Sequence, residues 1–201
     1  MNPNKNQKNL KSEIKMLIDI TLKITPKMTK DAQGNLKKAL VGHLGTHFDV
    51  MNKEFPLDYV RRQAIVFDVS SISGRDIEIA DVDLDAVEQG MFVAFYTGHI
   101  DRVEYGSKEY FASHPALSVE LIDALLDKGV SIIGVDCAGV RNGKEHTPMD
   151  QHCADHGVFI VENLCNLDKV IGRCVINTYP MNYAEMTGLP CRVVAEAEEN
   201  E

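Results

Sequence analysis

No apolar stretch of this chain approaches the roughly 18 or more residues that a membrane-crossing helix needs, and the opening MNPNKNQKNLKSEIKM lacks the hydrophobic region of a secretory signal. A cytoplasmic protein with no membrane partner is the expectation. Basic clusters are also scarce. Lys37-Lys38 and Arg61-Arg62 are the only adjacent basic pairs against a formal net charge of −9, which argues against nucleic acid as a partner. The CxxC pattern is missing. The five cysteines, Cys137, Cys153, Cys165, Cys174 and Cys191, are odd in number and widely spaced, so they read as reduced packing thiols. Cys137, just after an apolar run, has no adjacent His-Asn pair that would make it a nucleophile.

Internal repeats, flexible linkers and low-complexity stretches are absent after the first ten residues. Residues 1–10, rich in Asn and Lys, cannot bury apolar area and are expected to form a flexible tail. Residues 11–201, in a chain with 44% apolar and 25% charged residues, are expected to form one domain.

Alternating element types set the fold class. Glu13 to Leu22 reads as a buried strand stopping at Pro26, and Gly34-Asn35 as a turn before an extended stretch, Ala39 to Val41. Ala64 to Val69, Met91 to Tyr96 and Ser131 to Val135 are β-branched, apolar runs of central-strand character. Leu84 to Gln89 and Ser118 to Lys128 carry helical spacing, the second opened by Ser118 as N-cap and closed by Gly129. Val158 to Val161, Val170 to Thr178 and Cys191 to Ala195 add three strands. The expectation is an α/β domain with a mixed β-sheet and flanking helices.

Chemistry concentrates in Gly42-His43-Leu44-Gly45-Thr46-His47-Phe48-Asp49. Two imidazoles and a carboxylate within seven residues can converge on one divalent cation, and three protein ligands leave positions open for water and substrate. A bare HxxxH is equally compatible with two side chains that merely share a helix face, although Gly45-Thr46 disfavours a helix here.

HxGTHxD resembles the metal-binding segment of the cyclase family, which includes bacterial kynurenine formamidases and isatin hydrolase. Further blocks in the same order resemble that family: IDIT at 18–21, FYTGH at 95–99, HPALSVELIDALLDKGVSIIGVD at 114–136, GVFIVENLCNLD at 157–168 and PCRVVA at 190–195. The resemblance implies a swivelling β/β/α fold and a divalent metal, zinc or manganese, ligated by His43, His47 and Asp49. It implies that Glu162 completes the site or acts as base, with Asn163 positioning it. Tyr96 and His99, at the end of a pocket-lining strand, become candidate substrate contacts. A homodimer or homotetramer is also implied.

Two positions depart from the family pattern HxGTHxDxPxH: Met51 stands at the proline and Lys53 at the last histidine. Lys53 is a solvated side chain, a candidate substrate contact, or, where burial and a nearby cation depress its pKa, a neutral amine acting as base or ligand. The family's later histidine, twelve residues before the glutamate, falls on Asp150, with His152 two residues away, so both are candidate bases. His114, His146 and His156 read as loop or surface residues. The resulting expectation is a metal-dependent hydrolase of a small amide, formamide, lactam or lactone, in which water attacks a polarised carbonyl. The alternative is a family member that binds metal or a small ligand without turnover.

Overall fold

Apolar, β-branched sequence drives the centre of the sheet. In the computed structural model, which describes residues 16–32 and 42–197, strands β3 (Arg61–Asp68), β4 (Phe92–Tyr96), β5 (Ile132–Val135) and β6 (Phe159–Glu162) run parallel side by side. Both faces of these strands are covered, so their runs are continuously apolar rather than alternating. Ala64, Val66, Phe92, Ala94, Ile132, Phe159 and Val161 enter one buried cluster, while Ile65, Val93, Phe95, Ile133, Val135 and Ile160 enter the other. Gly134 fits between them because a methyl group there would lie 2.6 Å from the Phe92 ring.

The remaining strands are antiparallel and close the sheet. β2 (His47–Asp49) pairs with β6 on one side and β8 (Gly188–Ala197) on the other, β8 pairs with β7 (Gly172–Pro180), and β7 returns to β3. β1 (Met16–Asp19) lies along the far half of β8. The seven strands β2 to β8 thus form a ring, with β1 as an eighth member attached to it.

Five helices flank the sheet among the described residues: α1 (Pro26–Ala32), α2 (His99–Arg102), α3 (Lys108–Ala112), α4 (Val119–Asp127) and α5 (His146–Asp155). The Ser118 hydroxyl accepts from Leu121 N at 3.1 Å and caps α4, whose Leu121, Ile122 and Leu125 are fully buried.

Several sequence expectations need adjustment. β1 is a strand, but only Ile18 of its four residues is buried, because β1 has a partner on one side alone. Leu84 to Gln89 supplies a single 3₁₀ turn, Leu84–Ala86, capped by Asp83, after which Val87 is extended. Helix α5 carries a sequence read as loop, its Pro148 tolerated in the first turn where the backbone donors lack helical partners. The tail at 1–10, the Gly34-Asn35 turn and the 39–41 stretch lie outside the described residues. Among those that are described, no helix is long and apolar enough to cross a membrane.

Candidate metal centre

Strand periodicity aims the site residues. Phe48 packs into the buried cluster against Phe55, ring centroids 4.5 Å apart, so His47 and Asp49 point to the opposite face of β2. His47 stands directly across from Glu162 of β6 in register. The chain before β2 turns at Gly45, whose φ of +74° suits a residue without Cβ, and this turn folds His43 back over His47.

The three side chains converge as the sequence anticipates. His43 Nδ1 lies 2.8 Å from Asp49 Oδ1 and 3.0 Å from His47 Nε2, and His47 Nε2 is 3.6 Å from the same Asp49 oxygen. Each imidazole is tied by its other nitrogen. His47 Nδ1 donates to the Gly45 carbonyl at 2.8 Å, and His43 Nε2 is 2.9 Å from Thr187 Oγ1. Because the Gly45 carbonyl can only accept, His47 carries a proton on Nδ1, and a neutral His47 ring turns its Nε2 lone pair inward toward His43 Nδ1 and a carboxylate oxygen, a set of atoms that suits a cation.

A second triad shares Asp49. One ligand atom each from Asp49, His146 and Asp150 lies close enough to the others for the three to share an ion. His146 and Asp150 sit one turn apart on α5 and so share a face. His146 Nε2 is 3.2 Å from Asp150 Oδ2 and 3.4 Å from Glu162 Oε1, while Glu162 Oε2 is 3.6 Å from His47 Nε2. His146 was read from sequence as a loop residue. The available signal was its i, i+4 spacing to Asp150, hidden because the helix itself went unread.

Burial makes the cluster electrostatically demanding. His47, Asp49, Asp150 and Glu162 are at most 4% exposed, whereas the His43 and His146 side chains are 25% and 30% exposed and form its open side. Burial pushes the Asp49 carboxyl upward, but the His47 charge and the His43 hydrogen bond outweigh it and hold Asp49 below the usual carboxylate range. Asp150 is displaced the other way, raised first by burial and then by the Asp49 charge. Asp49 Oδ2 and Asp150 Oδ1 are buried without a hydrogen-bond partner. Buried oxygens of this kind are costly unless something positive meets them. Imidazole and carboxylate together suit a divalent transition metal, so the residues present fit such an ion.

Other sequence candidates lie elsewhere. His152 pairs with Asp123 at 2.9 Å on the exposed side of α5, and Lys53 with Asp155 at 2.7 Å at the surface. Tyr96 donates its hydroxyl to Asp101 at 3.1 Å. His99 is buried, its Nε2 3.2 Å from the Tyr110 carbonyl and its ring packed on Tyr110. Thr97 and Gly98 are fixed by Asp136, which accepts from Thr97 N, Thr97 Oγ1 and Gly98 N. The Cys137 thiol is fully buried and pushed well up, first by burial and then by the Asp136 and Glu162 charges, as a packing thiol would be.

A mixed sheet closed into a ring, with a His/Asp/Glu cluster on its outer face, defines an architecture shared with known proteins. The Cyclase family model matches residues 18–141, and the chain belongs to that family. No curated protein sequence matches. Among solved structures, one described as a potential metal-dependent hydrolase with cyclase activity is 20% identical with a TM-score of 0.69, over 92% of this chain and 100% of that one. Isatin hydrolase A from Labrenzia aggregata, bound to benzyl benzoate, is 17% identical with a TM-score of 0.71, over 92% and 94%. An isatin hydrolase bound to the product analogue thioisatinate is 20% identical with a TM-score of 0.67, over 78% and 72%. At these identities the likeness is one of fold.

Proposed function

We propose that this protein is a metal-dependent hydrolase that cleaves a small linear or cyclic amide, a formamide or a lactone. His43, His47 and Asp49 hold one zinc or manganese ion. Asp49, shared with His146 and Asp150, holds a second. The observation that carries this reading is the pair of buried oxygens without hydrogen-bond partners, Asp49 Oδ2 and Asp150 Oδ1, within a cluster of three histidines.

A bound divalent cation supplies a Lewis acid that polarises a carbonyl and acidifies water. Glu162 lies between His47 and His146, with its carboxylate oxygens directed to each, and is the group placed to take a proton at one oxygen and return it to the leaving nitrogen or oxygen. The partly exposed His43 and His146 form the open side of the cluster, and the carboxylates behind them are buried away from bulk water. We place the protein in the cytoplasm as a homodimer or homotetramer, a reading supported by the family resemblance and by the exposed Tyr179, Met181 and Tyr183.

The test is metal content by plasma mass spectrometry on chelator-free protein, together with a panel of N-formyl, lactam and lactone substrates. Two ions per chain in wild type, one in His146→Ala and hydrolysis of a panel member are expected. Metal retention without any turnover would favour a binding protein. No metal under any loading condition would end the hydrolase reading.

A further inference from the structure

The backbone of Gly45, between the two histidines, is held on both sides by side chains from distant parts of the chain. Its N–H donates to Tyr105 Oη at 2.8 Å. Its carbonyl accepts two hydrogen bonds, from His47 Nδ1 at 2.8 Å and from Asn163 Nδ2 at 3.0 Å. The orientation of the Asn163 amide is dictated in turn by the Tyr110 hydroxyl, which donates to Asn163 Oδ1 at 2.8 Å, so the amide nitrogen must face Gly45.

Asn163 is itself pinned. Its φ of +58° is a left-handed conformation that Asn tolerates better than most residues. Its N–H donates to the Cys137 carbonyl at 3.0 Å, and its own carbonyl accepts from Thr46 Oγ1 at 2.7 Å. Asn163 and Tyr110 are buried, so these bonds are shielded from bulk solvent.

We infer that Asn163, oriented by Tyr110, is a positioning residue for His47: by fixing the Gly45 carbonyl it holds the His47 proton on Nδ1 and leaves Nε2 as the ligating nitrogen. The relay runs Tyr110 Oη, Asn163 amide, Gly45 carbonyl, His47 ring. The sequence reading assigned Asn163 to its neighbour Glu162, but its side chain serves the other metal-bearing strand. This inference rests on the metal-centre reading above.

The test compares wild type with Asn163→Asp and Tyr110→Phe by two readouts. The first is cobalt(II) affinity of the folded protein, by chelator competition, with the cobalt visible spectrum. The second is the His47 tautomer in metal-free protein, from imidazole nitrogen-15 shifts. Asn163→Asp keeps shape and backbone preference but replaces the donor with an oxygen that repels the Gly45 carbonyl. Its added negative charge would by itself strengthen cation binding, so a 10- to 100-fold loss of affinity, with an altered cobalt spectrum, is a directional result. Tyr110→Phe, which frees the amide to flip, is expected to lose less, about threefold to tenfold, and serves if the aspartate variant does not fold. In both variants His47 should lose its single Nδ1–H tautomer. Wild-type affinity together with an unchanged tautomer would overturn the inference. Wild type that binds no cobalt would instead defeat the metal-centre reading, and the tautomer measurement would still decide the role of Asn163.

Discussion

His47 and Glu162 face one another directly across β2 and β6, in register, with His47 Nε2 3.6 Å from Glu162 Oε2. Residues separated by more than a hundred positions are thus set by sheet pairing rather than by loop geometry. A site placed by strand register is rigid, and its two halves move only if the sheet does.

His43 and His47 present opposite ring nitrogens to Asp49, Nδ1 and Nε2, and their outer partners differ in burial. The Gly45 carbonyl behind His47 is buried, whereas Thr187 behind His43 is exposed. Water can replace an exposed hydroxyl at little cost. Thr187→Val is therefore expected to weaken metal binding less than about tenfold, at the low end of the usual effect of removing such a partner. Chelator competition measures it, and a hundredfold loss would show that Thr187 does more than orient the ring.

Met51 has φ of +55°, and its N–H donates to the Thr187 carbonyl at 3.1 Å. Proline permits neither, since its ring fixes φ near −65° and removes the donor. Met51→Pro should cost more than about 1 kcal/mol in urea unfolding and disturb the Thr187 contact to His43. An unchanged midpoint would mean that this turn has a second conformation of similar energy.

Burial raises the Asp136 carboxyl to about 6 from 3.8, outweighing its three hydrogen bonds from Thr97 and Gly98. The folded state therefore binds this proton more tightly than the unfolded state. Its contribution to stability is full below pH 3.8, falls as pH rises to about 6 and is level above that. A carboxyl carbon NMR titration should show a midpoint near 6, and the stability difference between wild type and Asp136→Asn should shrink across that window. A midpoint near 4 would contradict this.

Lys53 and Asp155 form a surface pair at 2.7 Å, their side chains 37% and 53% exposed. Exposed pairs contribute about 0–1 kcal/mol. Lys53→Ala should leave metal content unchanged and shift the unfolding free energy by no more than about 1 kcal/mol. A large loss of substrate affinity, read as a raised KM, would instead restore Lys53 to the site.

Much of the fold was legible because its signals are local. Continuous apolar runs marked β3 to β6, and Ser118 with Gly129 marked α4. Ring closure was not legible, since nothing in β7 or β8 states which edge each will join. In the candidate centre, His43, His47 and Asp49 were readable because one turn and one short strand bring them together. His146 was not. Its helix is mostly polar and carries Pro148, so it lacks the apolar stripe by which helices are recognised, and its role depends on packing against β6.

β8 touches three other strands: β7 along one edge, and β2 and β1 along the other. Only three residues long, β2 cannot hold its place alone and relies on pairing with residues 160–162 and 188–190. The consequence concerns timing during synthesis. His43, His47 and Asp49 leave the ribosome early, but the pairing that holds β2 on both sides is complete only once β8 has emerged, so under the proposed function cation capture would require a chain made through to β8.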